Sequence, residues 1–304
     1  MRLLVVGGSG FIGRNVVERL AAGSHGFGQV AATYCHAADF PPWARARGIE
    51  PLELDLGRAV RLPGEFDAAI YAAGNADHAA AADRPLFDAE LNASALLRFI
   101  EAFHGRLVYL SSGSVYYGLS GEVNPGLAVR PTFAYGISKL ASELYAAAAR
   151  ERGRLASLAT IRLFYAFGRH DKPRRLVPRV LSAALERPNE PFRVQGTGQS
   201  CIDPLFAAGV ADVLVGAAAR PEVEGVFDLC GNAPRTVIEL AKEIARIVGV
   251  TLAVESAGGR EEYPVTFHAS ARRLLDAVNL PSVGRFDEGV RQTLAWLRER
   301  GSLH

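Results

Sequence analysis

Three glycines, Gly7, Gly10 and Gly13, separate an apolar run from a segment whose apolar residues have helical spacing. The run Arg2–Val6 predicts a buried first strand, and residues 15–22 predict a helix. Because glycine has no Cβ atom, this turn permits a sharp reversal, close packing of the helix on the strand, and approach of a pyrophosphate to the helix N-terminus. The arrangement predicts the opening of a dinucleotide-binding fold, with a purely structural turn as the alternative.

The strand and helix pattern recurs along the first half of the chain. Further strands are predicted at residues 29–34, 68–72, 106–111 and 159–163, and further helices at residues 87–103 and 135–152. Continuous apolar strands that alternate with amphipathic helices indicate a parallel sheet with both faces covered. The predicted fold class is therefore α/β, with a Rossmann-type doubly wound parallel sheet.

The alternation of strands and helices becomes irregular beyond residue 164. Prolines at positions 173, 178, 188, 191 and 204 divide the sequence into short pieces that cannot continue a regular pattern. We therefore expect a dinucleotide-binding domain over residues 1–165 and a smaller substrate-binding lobe over residues 166–304, some segments of which return to the first domain. Helices are predicted in this lobe around residues 237–248 and 288–300.

Charge and cysteine content narrow the classes of partner. The chain has 34 Lys and Arg against 32 Asp and Glu, and a net charge of +2 is too small for a general nucleic-acid surface. Its three cysteines lie far apart with no C-x-x-C spacing, which favours a reducing, cytoplasmic compartment. No stretch reaches the roughly 18 apolar residues of a membrane helix, so no membrane partner is predicted. No metal site is predicted either.

The end of the second predicted strand bears on the choice of dinucleotide. Proteins that bind NAD usually place an Asp or Glu about 20 residues after the glycine turn, where it holds the ribose 2′-hydroxyl. Here the strand ends Tyr34-Cys35-His36, with no acid. The predicted cofactor is NAD or NADP, with NADP slightly favoured. His36, Arg45 and Arg47 are weak candidates for binding a 2′-phosphate, and a solvated surface is the alternative for each.

Asp55 and Leu56 follow a predicted third strand. The carboxylate of Asp55 can accept a hydrogen bond from the adenine amino group, and Leu56 can lie against the adenine ring. A loop Asp that caps a helix is the alternative.

A candidate acid–base pair lies on the predicted helix at residues 135–152. Tyr135 and Lys139 are four residues apart, so both side chains share one helix face. A phenol has a reference pKa of about 10, and a neighbouring ammonium group stabilises its phenolate, which makes Tyr a useful acid or base near neutral pH. The same Lys139 can reach a nicotinamide ribose. Ser112 lies at a strand end of the kind where open α/β sheets bind ligands.

Together these motifs resemble those of the extended short-chain dehydrogenase/reductases, in the NAD-dependent epimerase/dehydratase family that acts on nucleotide sugars. The matching segments are Gly7-Gly8-Ser9-Gly10-Phe11-Ile12-Gly13, Asp55, Ala72-Ala73-Gly74, Asn92, Ser111-Ser112-Gly113-Ser114-Val115-Tyr116, Tyr135-Gly136-Ile137-Ser138-Lys139 and Arg162-Leu163-Phe164 to Gly168. The resemblance implies cofactor contacts at the glycine turn, Asp55, Ala72 and Ala73. It also implies an Asn beside the active site at Asn92 and a catalytic hydroxyl at Ser112.

Two departures from the family pattern concern the substrate. Tyr165 stands where a substrate-contacting Asn is usual, and Ile202 stands where an Arg commonly binds the diphosphate of the sugar nucleotide. Diphosphate binding would then need Arg193, Arg174 or Arg272, each of which is more simply a surface charge.

A third departure concerns the reaction. The 4,6-dehydratases of the family follow their catalytic Thr with Asp-Glu, whereas Gly113 and Ser114 follow Ser112 here. Without this acid and base, dehydration is disfavoured.

The predicted function is reversible hydride transfer between NAD(P) and a secondary alcohol or keto carbon of a nucleotide sugar, giving either epimerisation or keto-sugar reduction. In this mechanism Ser112 orients the oxygen, Tyr135 exchanges the proton, and Lys139 lowers the pKa of Tyr135 while holding the ribose. The candidate substrate contacts are Asn92, Ser114, Tyr165 and Arg193. Reduction of a non-sugar ketone and a non-catalytic NAD(P)-binding regulator are the alternatives.

A homodimer is also predicted. The helix at residues 135–152 carries Leu140, Leu144 and the alanine run 146–149, an apolar face suited to close packing. The resemblance implies pairing through this helix and its neighbour near residues 87–103. Packing of that face on the sheet is the alternative.

Overall fold

A parallel sheet lies at the centre of the computed structural model, which describes residues 1–259 and 264–301. The strands are β1 (Arg2–Val6), β2 (Gln29–Tyr34), β3 (Glu50–Glu53), β4 (Ala68–Tyr71), β5 (Arg106–Ser112), β6 (Gly121–Glu122), β7 (Ser157–Leu163), β8 (Tyr165–Phe167), β9 (Phe192–Val194), β10 (Cys201–Ile202), β11 (Pro204–Phe206), β12 (Gly225–Leu229), β13 (Arg235–Thr236), β14 (Val254–Ser256) and β15 (Phe267–His268). The helices are α1 (Phe11–Ala21), α2 (Phe40–Arg45), α3 (His78–Asp83), α4 (Pro85–Ala89), α5 (Ala95–Ala102), α6 (Ala134–Glu151), α7 (Leu176–Glu186), α8 (Ala207–Ala219), α9 (Val237–Ile247), α10 (Arg272–Val278) and α11 (Phe286–Glu299).

Within the described residues, seven strands form one sheet in the order β12-β7-β5-β4-β1-β2-β3, and every neighbouring pair is parallel. The predicted α/β class with a Rossmann-type sheet is confirmed. Strand order reverses at β1, because β2 pairs on one side of it and β4 on the other. The crevice outside the carboxyl ends of β1 and β4 is where folds of this kind bind ligands.

Alternate residues of β1 serve opposite faces of the sheet. Leu3 and Val5 belong to an apolar cluster that includes α1 and α8, whereas Leu4 and Val6 belong to one that includes α5 and α6. Strands β4 and β5 are buried along their whole length. This is the burial expected of a parallel sheet covered on both faces.

Residues beyond 165 contribute both to the central sheet and to a separate apolar cluster. β12 pairs with β7 and extends the sheet, and α8 and α10 pack beside it. A separate apolar cluster joins α7, α9 and α11 around Leu181, Leu240 and Trp296. The division into two domains at residue 165 stays a prediction.

One predicted helix is interrupted. The helical region expected at residues 87–103 begins at Pro85 and widens into a π-helical turn at Glu90–Ser94 between α4 and α5. Pro suits a first helical position because it lacks an N–H group that would have no partner there. A π turn is frequently found at functional sites, and this one contains Asn92.

Candidate functional site

The glycine turn is shaped by contacts between backbone atoms. Gly7 has a φ of +82°, and a Cβ atom there would lie 2.7 Å from the Ala73 amide nitrogen, just beyond β4. A Cβ atom on Gly13 would overlap the carbonyl oxygen of Gly7. At Gly10, by contrast, a Cβ atom would meet one neighbour, the Gly7 oxygen at 3.3 Å. The chain's own packing therefore requires glycine at positions 7 and 13, and position 10 leaves room for a ligand.

The N-terminus of α1 opens onto the same space. Gly10 is its N-cap residue, no side chain caps it, and its first turn has no acidic residue. Thr33 holds the turn against β2, because its hydroxyl accepts the Gly7 N–H at 2.9 Å and its carbonyl accepts the Ser9 N–H at 3.3 Å. Uncapped N–H groups and the helix dipole favour an anion here. Sequence reasoning missed Thr33.

The end of β2 carries Tyr34, which lies against Phe40 at 5.9 Å between ring centroids. The Cys35 thiol lies 3.4 Å from the His36 ring nitrogen Nε2. The guanidinium of Arg47 lies 4.1 Å from the Trp43 ring centroid, so Arg47 packs on that ring. The same ring contacts Arg14, which also pairs with Asp39 at 2.7 Å. Arg14 is thus a cation near this corner that the sequence reasoning did not single out.

Asp55 makes local contacts beyond β3. Its carboxylate accepts the Gly57 N–H at 2.8 Å and pairs with Arg58 at 3.1 Å. It therefore closes a turn rather than capping a helix. The Leu56 side chain packs at the edge of the apolar cluster on the α5 and α6 face. Adenine contacts for this pair stay a prediction.

Ser112 ends β5, and Tyr135 and Lys139 lie on the first turns of α6, all three buried. The Ser112 hydroxyl oxygen accepts the Ser114 N–H at 3.1 Å. Burial raises the pKa of Tyr135, and a side-chain hydrogen bond with Ser112 and the charge of Arg175 oppose the rise. The three predicted catalytic residues are therefore adjacent at the carboxyl end of the sheet.

The ammonium group of Lys139 contacts a backbone carbonyl and not the Tyr135 phenol that we expected it to stabilise. It donates to the Leu110 carbonyl at 2.7 Å and lies 4.6 Å from the Tyr109 ring centroid. Burial lowers the pKa of Lys139 to about 8, against the charge of Glu143 and Asp88. The expected lowering of the Tyr135 pKa by Lys139 is not found, because the ammonium is turned to a backbone carbonyl and the phenol is buried.

Asn92 lies in a buried hydrogen-bond network rather than at an open substrate surface. It is 1% exposed, and its amide nitrogen donates to Asp88 and to Ser138, both at 3.0 Å. Ser138 and Asn75 also donate to Asp88, at 2.6 and 2.7 Å. The Asn92 amide oxygen has no hydrogen-bond partner among the described residues, and its contact with substrate stays a prediction. The amide nitrogen positions α6 through Ser138, one residue before Lys139.

A second buried network lies one helical turn further along α6, and sequence reasoning missed it. Glu143 accepts the Ser111 hydroxyl at 2.5 Å and binds Arg162 through two nitrogens, at 3.0 and 2.7 Å. Both charged side chains are nearly fully buried. Ser111 precedes Ser112, so this network fixes α6 against the strand that carries the candidate catalytic hydroxyl. The available signal was that Glu143 lies four residues after Lys139 and therefore shares its helix face.

The aromatic ring of Tyr135 contacts a histidine that was also missed. The His78 ring lies 4.7 Å from it, centroid to centroid, and 5.3 Å from the Phe133 ring. Burial lowers the pKa of His78. An imidazole held neutral beside the phenol contributes to the wall around Tyr135.

The residues predicted to contact substrate do not all lie near Ser112 and Tyr135. Ser114 is buried beside Ser112. Tyr165 begins β8; burial raises the pKa of its hydroxyl, and the charge of Arg175 and a side-chain hydrogen bond with it oppose the rise. Arg193 points to solvent on β9, is 73% exposed and pairs loosely with Glu255 at 3.8 Å. The suggestion that Arg193 contacts substrate is therefore unsupported, since a surface ion pair already accounts for it.

The other two candidate arginines are also surface pairs. Arg174 is 65% exposed and binds Asp77, and Arg272 is 79% exposed and binds Asp276. Arg175 instead lies in the crevice, with its guanidinium carbon 4.8 Å from the Tyr165 ring centroid. Sequence spacing gave no signal that separates Arg174 from Arg175.

Residues 1–259 and 264–301 contain no group of three or more His, Cys, Asp or Glu placed to hold a metal ion. Over the same ranges, no helix combines the length and apolar character needed to cross a bilayer.

A family model described as the NAD dependent epimerase/dehydratase family matches residues 3–230. The chain belongs to this family. The match covers the sheet through β12 and includes the glycine turn, Ser112, Tyr135 and Lys139, so the resemblance read from the motifs is confirmed.

Relatives within the family are distant in sequence. A dTDP-D-glucose 4,6-dehydratase of Mus musculus is 25% identical over 206 residues, which span 66% of this chain and 57% of the mouse protein. The solved structure of a dTDP-glucose 4,6-dehydratase from Streptomyces venezuelae with NAD bound has a TM-score of 0.88 at 21% identity and covers 100% of this chain and 99% of that chain. RMD from Pseudomonas aeruginosa, complexed with NADPH, has a TM-score of 0.81 at 22% identity and covers 98% and 99%. These structures establish the shared fold.

Proposed function

We propose that the chain is an NAD(P)-dependent nucleotide-sugar epimerase or reductase with a Ser112, Tyr135 and Lys139 site. The observation that carries the proposal is the adjacency of these three side chains at the carboxyl end of β5, beside the glycine turn. The turn suits a dinucleotide, because Gly10 leaves space and the α1 N-terminus is uncapped. NAD and NADP supply hydride transfer when bound.

The roles of the chain's own residues follow from their contacts. Ser112 hydrogen-bonds Tyr135 and orients the substrate oxygen between them. Tyr135 then donates or accepts the proton at that oxygen. Lys139, held by the Leu110 carbonyl, binds the cofactor ribose with its remaining donors. The networks of Asp88 and Glu143 keep α6 in place during this exchange.

Epimerisation or reduction is preferred over 4,6-dehydration. A Cβ atom at Gly113 would lie 2.9 Å from the Phe164 ring, so the ring occupies the space that an acidic side chain at position 113 would need. The 4,6-dehydratase name of the mouse relative is in tension with this preference. Reduction of a non-sugar ketone is the second candidate, favoured by Ile202, which packs at the edge of an apolar cluster.

The test is turnover by the wild type and by Tyr135→Phe, with NADH and NADPH and a panel of keto-sugars, nucleotide keto-sugars and simple ketones. Removing the exchangeable proton should lower kcat by about 10²–10⁴-fold and leave cofactor affinity nearly unchanged. Tyr145→Phe, on the exposed side of the same helix, is the matched control and should keep the wild-type rate. A Tyr135→Phe rate above a tenth of wild type contradicts the assignment. Tight cofactor binding without any turnover by wild type indicates the regulator.

We also propose a homodimer through α4 and α6, which contact each other. The exposed large apolar side chains on α4, the π turn and α6 are Leu86, Phe87, Leu91, Ile137, Leu144 and Tyr145. A two-fold partner would bury this face. The unpaired cysteines of the chain support a reducing, cytoplasmic setting.

Sedimentation at micromolar concentration tests the dimer. Leu144 is 63% exposed, so Leu144→Glu should leave the protomer folded and convert the dimer to monomer. Leu127→Glu, at an exposed position outside the two helices, is the control and should remain dimeric. A monomeric wild type would refute the dimer and leave the catalytic proposal intact.

A further inference from the structure

We propose that Arg175 is the anion-binding side chain of the crevice and that its guanidinium binds a diphosphate. A diphosphate is shared by NAD(P) and by nucleotide sugars, so the inference rests on the proposed function and identifies how this chain binds one of those groups.

Arg175 lies between the two walls of the crevice. It is the N-cap residue of α7, and its guanidinium carbon lies 5.5 Å from the Phe11 ring centroid and 4.8 Å from the Tyr165 ring centroid. Phe11 is the first residue of α1, where a pyrophosphate is expected. The same cation therefore contacts the cofactor helix and a position where family members contact substrate.

The position of Arg175 is fixed on one side. Its Nη2 donates to the Ala166 carbonyl at 3.1 Å, and Nη1 lies 3.4 Å from the fully buried carboxylate of Asp171. The loop before it is tied to α1 as well, because the Asn15 amide donates to the Arg169 carbonyl at 2.9 Å. The guanidinium is held in place without the use of all its donors.

The protein does not use every donor of Arg175. A guanidinium has five N–H groups. Contacts with the Ala166 carbonyl, the Asp171 carboxylate and the Tyr165 hydroxyl use only part of them, and the side chain stays 32% exposed. Beside it lie the N–H groups at the N-terminus of α1, which no side chain caps. The helix N-terminus and the guanidinium both favour an anion placed between them. A planar guanidinium matches phosphate oxygens in a bidentate arrangement.

Calorimetric titration of wild type, Arg175→Gln and Arg174→Gln tests the proposal. NAD and NADPH are titrated into the free protein, and UDP, dTDP and UMP into the protein saturated with cofactor. Loss of a charged hydrogen bond should weaken one class of diphosphate by about 10- to 100-fold in Arg175→Gln, with UMP affinity nearly unchanged. Arg174→Gln, one residue away and paired at the surface, should bind all ligands like wild type. A loss confined to NAD and NADPH identifies the cofactor, and a loss confined to UDP and dTDP identifies the substrate.

Arg175→Lys addresses folding, because it keeps a positive charge near Asp171 and loses the planar pair of donors. It should fold with the wild-type circular dichroism spectrum and still bind the affected diphosphate more weakly than wild type. The proposal is overturned when both Arg175 variants bind every diphosphate as Arg174→Gln does, or when wild type binds none. Turnover that depends on Tyr135 would then still support the proposed function, so the two failures are distinguishable.

Discussion

The two walls of the crevice are built in different ways. On the β1 and α1 side, the shape comes from backbone atoms in contact, as where Gly13 lies against the Gly7 carbonyl. On the opposite side, the shape comes from the side chains of Tyr165, Asp171 and Arg175, which contact one another, and Arg175 also contacts the distant Phe11. A backbone wall has no group to titrate, whereas the side-chain wall contains a buried acid. The backbone wall should therefore be insensitive to pH and destabilised by an added side-chain atom. The side-chain wall should be sensitive to pH and less sensitive to added atoms.

The largest effect is expected from an added methyl group in the backbone wall. Gly13→Ala places a Cβ atom on the Gly7 carbonyl oxygen, so α1 must move away from β1. We expect a loss of about 3 kcal/mol or more in the free energy of unfolding, measured by urea denaturation. The loss should be equal at pH 4.5 and pH 7.5, because no titratable group is involved.

Gly10→Ala is the matched control within the same turn. Its Cβ atom has one close neighbour at 3.3 Å, so stability should change by less than about 1 kcal/mol. Cofactor affinity should still fall, because the methyl group enters the space left for the ligand. Equal destabilisation by the two variants would contradict the separate roles assigned to Gly10 and Gly13.

A smaller effect is expected from Asp171→Asn in the side-chain wall. Burial raises the pKa of Asp171 from 3.8 to about 6, so ionisation is harder in the folded than in the unfolded chain. Stability from this group is present below pH 3.8 and is lost as pH rises through about 6. The Asn variant should therefore unfold at a higher temperature than wild type at pH 7.5, by the equivalent of about 1–3 kcal/mol.

Well below pH 3.8 the melting temperatures of wild type and Asp171→Asn should converge, because the wild-type carboxyl is then largely neutral in both states. A variant that is less stable than wild type at pH 7.5 would show that the pairing with Arg175 outweighs the cost of burial. The side-chain wall would then not be destabilised by ionisation of its buried acid, which is the difference from the backbone wall that we expect.

The sequence predicted best what local pattern determines. The bounds of β1 and β2 agree with prediction, because each is a short, mainly apolar segment next to residues of a different pattern. The glycine turn was also predicted correctly, because its three glycines lie within seven residues of one another. The π turn at Glu90–Ser94 was not predicted, since its residues are compatible with an ordinary helix and tertiary contacts of Asn92 accompany the wider turn.

The sequence predicted less well what side chains do across long separations. Ser112 and Tyr135 were identified as neighbours, but the Leu110 carbonyl that holds Lys139 depends on how α6 packs on β5. Arg174 and Arg175 are equivalent in the sequence. Arg175 is the N-cap residue of α7 and Arg174 precedes it, and only the contacts with the Phe11 and Tyr165 rings reveal that Arg175 faces the crevice.

The pairing of β12 with β7 has a consequence for how the chain is made. Gly225 pairs with Ala159, so the last strand of the sheet follows its partner by a long stretch of chain. During synthesis from the N-terminus, β7 presents an unpaired edge until residues 225–229 have left the ribosome. Contacts of such long sequence separation slow folding and leave strand edges open to other chains. Nascent chains cut short before β12 should therefore associate through the edge of β7, which the complete protein covers.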